Sequence, residues 1–174
     1  MKKLYLKVIM KKVLLYVVVT SFWLVGCATQ QERAEKREQV RGAVAEAVES
    51  QQIRIGISWM NTLKYGSKSV TPDFFLELKG DTLNSYLPYM GQAYRPTMPS
   101  QSEGLNFEVP VQQVRKSHPK NNRWQLEIMA RTNEDNYKYL IDIFDTGKAT
   151  IHVSCANRDP ISFDGELIAP LSQK

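Results

Sequence analysis

The sequence predicts a mainly β (α+β) protein: one N-terminal helix, then about eight antiparallel strands in a meander, as a curled sheet or barrel-like. Three observations predict it. An apolar stripe with helical spacing occurs once, at Val40, Ala43, Val44, Ala47 and Val48. From Ile53 onward the hydropathy alternates with period two, as half-buried strands require. Turn-forming clusters then recur at strand-length intervals: Gly80-Asp81, Asn133–Asn136, Asp145–Gly147 and Asn157–Pro160.

Ahead of this body lies a segment of different character. Residues 1–26 carry five lysines and no acid, so the formal charge of +5 belongs wholly to them. The remaining residues hold 18 acids against 18 bases, which excludes a phosphate-neutralising surface and with it a nucleic-acid partner. A mean hydropathy of −0.37 excludes a multi-span membrane protein. The apolar run Val13–Val25 reaches only ~20 Å as a helix, short of a ~30 Å hydrocarbon core, and fits a signal peptide. It ends in Leu24-Val25-Gly26-Cys27, which resembles a lipobox. Residues 1–26 are therefore expected to be removed between Gly26 and Cys27. Cys27 would receive diacylglycerol and an N-acyl chain such as palmitate, its only expected cofactor-like group. The resulting location is the cell envelope. Ala28 in place of aspartate leans toward the outer membrane, facing the periplasm.

Residues 27–30 form a lipidated tether of ~14 Å at most, and 31–174 a single globular domain. A helix over 31–51 docks its second half on the core, while Arg33, Lys36 and Arg37 keep the first half solvated. Ile53, Ile55, Ile57 and Trp59 form one strand face, and a polar loop covers Asn61–Thr71. Asp73–Lys79 and Thr82–Leu87 join through Gly80-Asp81, with Leu78 opposite Leu83 and Phe74 opposite Leu87. Pro88–Glu103 is the longest loop, Gly104–Val114 an extended segment with Pro110 at an edge or bulge, and Lys116–Asn122 a polar turn. Trp124–Thr132 and Tyr137–Phe144 follow, with Leu126 opposite Ile143 and Ile128 opposite Ile141. That register also opposes Glu127 to Asp142 and Arg131 to Lys138, like-charge pairs that leave it open by one pair. A three-residue loop at Asp145-Thr146-Gly147 puts Ile143 opposite Ala149 and Ile141 opposite Ile151. Ile161–Leu167 is the last strand, and the β region ends near 168.

Several stretches in order carry a family resemblance. They are Gly80-Asp81-Thr82-Leu83, Ser85-Tyr86-Leu87-Pro88-Tyr89 with Gly91 and Ala93-Tyr94, and Gly104-Leu105-Asn106-Phe107. Arg131-Thr132-Asn133-Glu134-Asp135 and Ile161-Ser162-Phe163 before Gly165-Glu166-Leu167 complete the set. From about residue 31 to 168 the chain resembles the Bacteroidetes lipoproteins grouped as domain of unknown function 4251. The resemblance implies a lipid-anchored envelope protein with no assigned activity and no catalytic residues to transfer.

The residues offer little chemistry. His118 and His152 lie in different segments without a second ligand at i+3 or i+4, so no metal site is expected. Cys155 shares the apolar face of Ala149, Ile151 and Val153 and is expected to be buried. Glu134-Asp135 reads as turn chemistry. The candidate ligand or partner contacts are Tyr86, Tyr89, Tyr94 and Arg95, joined by Tyr65: broad aromatic faces with polar tips beside a guanidinium. The competing assignment pairs Tyr86 with Phe75 and uses Tyr89 and Tyr94 to pin the loop. The expected function is a non-enzymatic binding or accessory module. Its partners would be the membrane, through the lipid, and an envelope protein or small ligand. The alternatives are a lipocalin-like carrier of a small apolar ligand and, last, a hydrolase.

Overall fold

The computed structural model describes residues 28–92, 104–120 and 122–168. The signal segment, Gly26, Cys27, Tyr94 and Arg95 lie outside the described residues. Two compact units divide the chain, Met1–Gln39 and Val40–Lys174.

Helix α1 runs Ala28–Ser50, three residues earlier than the tether prediction allowed. Its residues 30–39 are exposed, including Arg33, Lys36 and Arg37. From Val40 the anticipated stripe is realised: Val44 and Val48 are fully buried and Ala47 nearly so. Gln51 ends the helix in the left-handed region at φ 54°. Its carbonyl accepts from the Gly80 N–H at 2.9 Å.

Among the described residues nine strands follow: β1 (Gln52–Thr62), β2 (Gly66–Ser69), β3 (Phe75–Lys79), β4 (Thr82–Leu87) and β5 (Leu105–Lys120). The last four are β6 (Arg123–Arg131), β7 (Asn136–Phe144), β8 (Lys148–Ser154) and β9 (Ile161–Leu167). From β3 to β9 each strand pairs antiparallel with the next, and β1 pairs with both β3 and β9. The sheet is thus a closed eight-stranded barrel, with β2 hydrogen-bonded to the far half of β1. Closure removes the two edges an open sheet would expose. At the seam, a Cβ on Gly165 would overlap the Gly56 carbonyl oxygen, so β9 approaches β1 closely only because residue 165 has no side chain.

The helix segment Val40–Ser50 sits at one end of the barrel, against the β3–β4, β5–β6 and β7–β8 connections. Lys116 Nζ donates to Glu49 O at 3.0 Å, and Arg41 pairs with Asp145 at 3.5 Å. Val44 and Val48 join Ile53, Leu78, Leu126 and Ile143 in one apolar core. Large side chains, notably Tyr139 and Phe163, fill inward positions with no exposed surface. Tyr139 donates to Ser85 Oγ at 3.1 Å, which donates to Leu105 O at 2.7 Å, so the buried hydroxyls are satisfied.

Two expected registers hold residue for residue: Leu78 opposite Leu83, and Ile143 and Ile141 opposite Ala149 and Ile151. Four expectations require correction. The polar loop 61–71 contains β2. The polar turn expected at 116–122 is strand for most of its length, because β5 continues to Lys120 and pairs it with Arg123. Leu126 faces Ile141, not Ile143, a slide of two residues. The slide opposes Met129 to Lys138 and Glu127 to Leu140, and a diagonal Lys138–Glu127 pair at 3.3 Å replaces the like-charge contacts. Finally, a bulge between Ile57 and Trp59 interrupts β1, so Met60 turns inward while Trp59 points out, 49% exposed.

Candidate functional site

The end of the barrel opposite the helix is built from connections: the start of the β4–β5 loop and the β6–β7 and β8–β9 turns. Here the titratable side chains gather. Thr132 shapes the β6–β7 turn, its Oγ1 accepting from the N–H groups of Glu134 and Asp135 at 3.1 and 3.2 Å. That fold of the chain aims both carboxylates at the β8–β9 turn. Glu134 Oε2 receives Arg158 Nη2 at 3.1 Å, and Asp135 Oδ2 receives the Asn157 N–H at 2.9 Å. Arg158 is 7% exposed while Glu134 is 32% exposed, so the ion pair is shielded from water on its guanidinium side only.

Tyr89 supplies the third element. Its hydroxyl lies 3.0 Å from Gln92 O and 3.2 Å from Asp159 O, donating toward both. Asp159 accepts from the Gln92 N–H at 3.1 Å and returns its own N–H to Gln92 O at 3.0 Å. The Arg158 guanidinium sits 5.2 Å from the Tyr89 ring centroid, a cation–π distance. Three connections distant in sequence are thereby latched together by Arg158, Asp159 and Tyr89.

Burial sets the protonation states. Desolvation, reinforced by the Asp159 charge, pushes Tyr89 up to about 12. Desolvation likewise pushes Tyr137 up to about 12; its ring packs 4.9 Å from Phe107. Cys155 is half-buried beyond the end of β8 and packs on the core, and desolvation with the neighbouring Asp135 charge raises its thiol to about 11. For Asp135, burial acts upward, but the hydrogen bonds from Asn157, Asn136 and Cys155 prevail and its pKa is lowered. A thiol, two phenols and a carboxylate are all held in their ordinary neutral-pH forms. None is activated.

The predicted tyrosines separate. Tyr89 joins the latch. Tyr86 lies on the outer wall, 41% exposed, where its ring packs 5.4 Å from Phe74 and 5.8 Å from Phe75. Arg54 covers Phe75 at 4.1 Å and pairs with Glu77 at 3.5 Å. The expected Phe75–Tyr86 pairing is present, and Tyr86 serves that stack. Tyr65 stands at the β1–β2 tip, where Lys68 lies 5.7 Å from its ring and 3.3 Å from Met90 Sδ. Arg158 and Glu134 were missed as partners. They lie in separate turns, and the detectable signal was topological: the β6–β7 and β8–β9 turns of a meander emerge at the same end.

His152 pairs outside the barrel with Ser162 Oγ at 2.8 Å, and His118 packs 4.5 Å from Trp124. Among the described residues no group of three or more His, Cys, Asp or Glu side chains is placed to hold a metal ion, and no helix is long and apolar enough to cross a membrane.

No curated protein matches this chain. Among solved structures, the crystal structure of a DUF4251 family protein from Bacteroides eggerthii is similar in fold, with a TM-score of 0.58 at 14% identity. The similarity covers 78% of this chain and 90% of that one. The family model described as "Domain of unknown function (DUF4251)" matches residues 35–167, and the chain belongs to that family.

Proposed function

We propose that this protein is a lipid-anchored envelope lipoprotein that binds a partner without transforming it, with the latched loop end as its contact face. One observation carries the reading: the side chains gathered there tie the β6–β7 and β8–β9 turns to the start of the β4–β5 loop, while their ionisations favour inert forms. Cys155 at about 11 is overwhelmingly thiol at neutral pH, and Tyr89 at about 12 is un-ionised. A shape maintained by directional polar contacts suits recognition, because little ordering remains to oppose binding. The anchor rests on the basic leader and Leu24-Val25-Gly26-Cys27, which favour acylation at Cys27 and the periplasmic face of the outer membrane. Packed inward positions such as Tyr139 and Phe163 weigh against the carrier alternative.

The test places a photoreactive residue at Gln92 on the loop end, or at Lys120 on the helix end, in living cells. A discrete adduct from Gln92 and none from Lys120 is expected, on a protein whose first residue is an acylated Cys27 by mass spectrometry. Adducts from Lys120 alone, or an unmodified Cys27, would overturn the respective half of the proposal.

A further inference from the structure

The outer wall carries a groove of about 630 Å³ that is separate from the loop end. It crosses β1, β9, β8 and the β7–β8 turn, with Trp59 among its walls and Phe144 half-buried beside the turn. Alternation along β1 would have placed Trp59 in the core. The bulge after Ile57 re-aims it to the outside, where the largest side chain of the strand remains half exposed. Burial does not explain this outcome, since an indole turned outward forfeits its apolar stabilisation. The polar lining is braced. Asp164 accepts from Asn61 Nδ2 at 2.7 Å and from Thr150 Oγ1 at 2.9 Å, and Ser58 Oγ donates to the Asp164 carbonyl at 3.1 Å. Asp145 is held by Arg41 at 3.5 Å. Among the described residues, the side chains of Thr146, Lys148 and Glu166 have no hydrogen-bond or ion-pair partner, which leaves donors and acceptors free.

These features select a ligand class. Three carboxylates, Asp145, Asp164 and Glu166, against one Lys148 disfavour a polyanion. The hydroxyl, carboxylate and ammonium groups set among the apolar walls of Trp59, Phe144 and Ala149 disfavour a wholly apolar ligand, whose burial would strip them of water without return. We propose that the groove binds a neutral, hydroxyl-rich carbohydrate chain. One sugar ring lays its C–H face on the Trp59 indole, whose π face is electron-rich. Thr146, Lys148 and Glu166 hydrogen-bond the ring hydroxyls.

The test applies the purified full-length protein, in a sugar-free detergent, to an array of neutral, amino-sugar and uronic-acid glycans. The best-retained neutral oligosaccharide is then titrated calorimetrically. Retention of neutral glycans without uronic-acid ones is expected. Trp59→Ala should weaken the association about tenfold, and Trp59→Phe, which keeps an aromatic face, by roughly threefold or less. Leu63→Ser, 74% exposed on the neighbouring hairpin tip and not part of the groove lining, should bind as the wild type does. Retention of no neutral glycan, preference for uronic-acid chains, or unchanged binding by Trp59→Ala each overturns the proposal.

Discussion

The two ends of the barrel are closed by opposite means. At one end the helix presses Val44, Ala47 and Val48 onto the core, a closure by removal of apolar surface from water. At the other, Arg158, Glu134, Asp135, Asp159 and Tyr89 join the β6–β7 and β8–β9 turns and the start of the β4–β5 loop through charge and hydrogen bonds. The first mechanism is non-directional and indifferent to pH. The second depends on geometry and on ionisation. A binding face gains from the second, because directional contacts specify one loop arrangement where apolar collapse tolerates several.

The contrast is broken most severely at the helix end. Val48→Asp places an unpaired carboxylate where no water reaches, and should cost about 4 kcal/mol or more in a urea titration, with the whole barrel unfolding together. At the loop end, Arg158→Ala should cost about 2 kcal/mol, and its signature is local. Amide exchange at Gln92, Asn157 and Asp159 should accelerate, while Gly80, bonded to Gln51 beside the helix, keeps its protection. Equal acceleration at both ends would mean that they open as one unit. The smallest effect is on pH. The Asp135 pKa is lowered below its ordinary 3.8, so its contribution is fully present above that value and is lost as pH falls through the folded-state pKa. Comparing Asp135→Asn with the wild type in urea, the stability gap should be constant around pH 6 and shrink below roughly pH 4. A gap that widened on acidification would reverse the assignment.

The helix end was legible because the information was local. A stripe at i, i+3, i+4, i+7 and i+8 is a property of nine consecutive residues, and Gly80 and Gly147, both at positive φ, set the registers of their hairpins. The β6–β7 register failed for lack of such a marker. No glycine stands between Arg131 and Asn136, and the like-charge pairs Glu127–Asp142 and Arg131–Lys138 are the hints that the strands slide. β2, Gly66-Ser67-Lys68-Ser69, is exposed at every position and has no hydropathy pattern to find. β5 beyond Arg115 is likewise exposed, and its polar residues read as a turn. The bulge that expels Trp59 arises from fitting β1 to β9, a constraint absent from either strand alone. Of the residues that latch the loop end, Tyr89 stands out in the sequence from its place in an aromatic-rich loop. Arg158 does not, because its partner Glu134 is a neighbour only in the finished barrel.

The Gly56–Gly165 seam has a consequence for biogenesis. Ser58 and Asp164, which meet beside it, are 106 positions apart, and every other strand pairing of the barrel is closer in the chain. Hairpins such as β3–β4 and β7–β8 can assemble early at small loop-closure cost, but the ring waits for its final strand to be made. A nascent chain ending before Ile161 therefore has two unsatisfied borders, β1 and β8, able to pair with another copy. Premature termination produces a species prone to self-association.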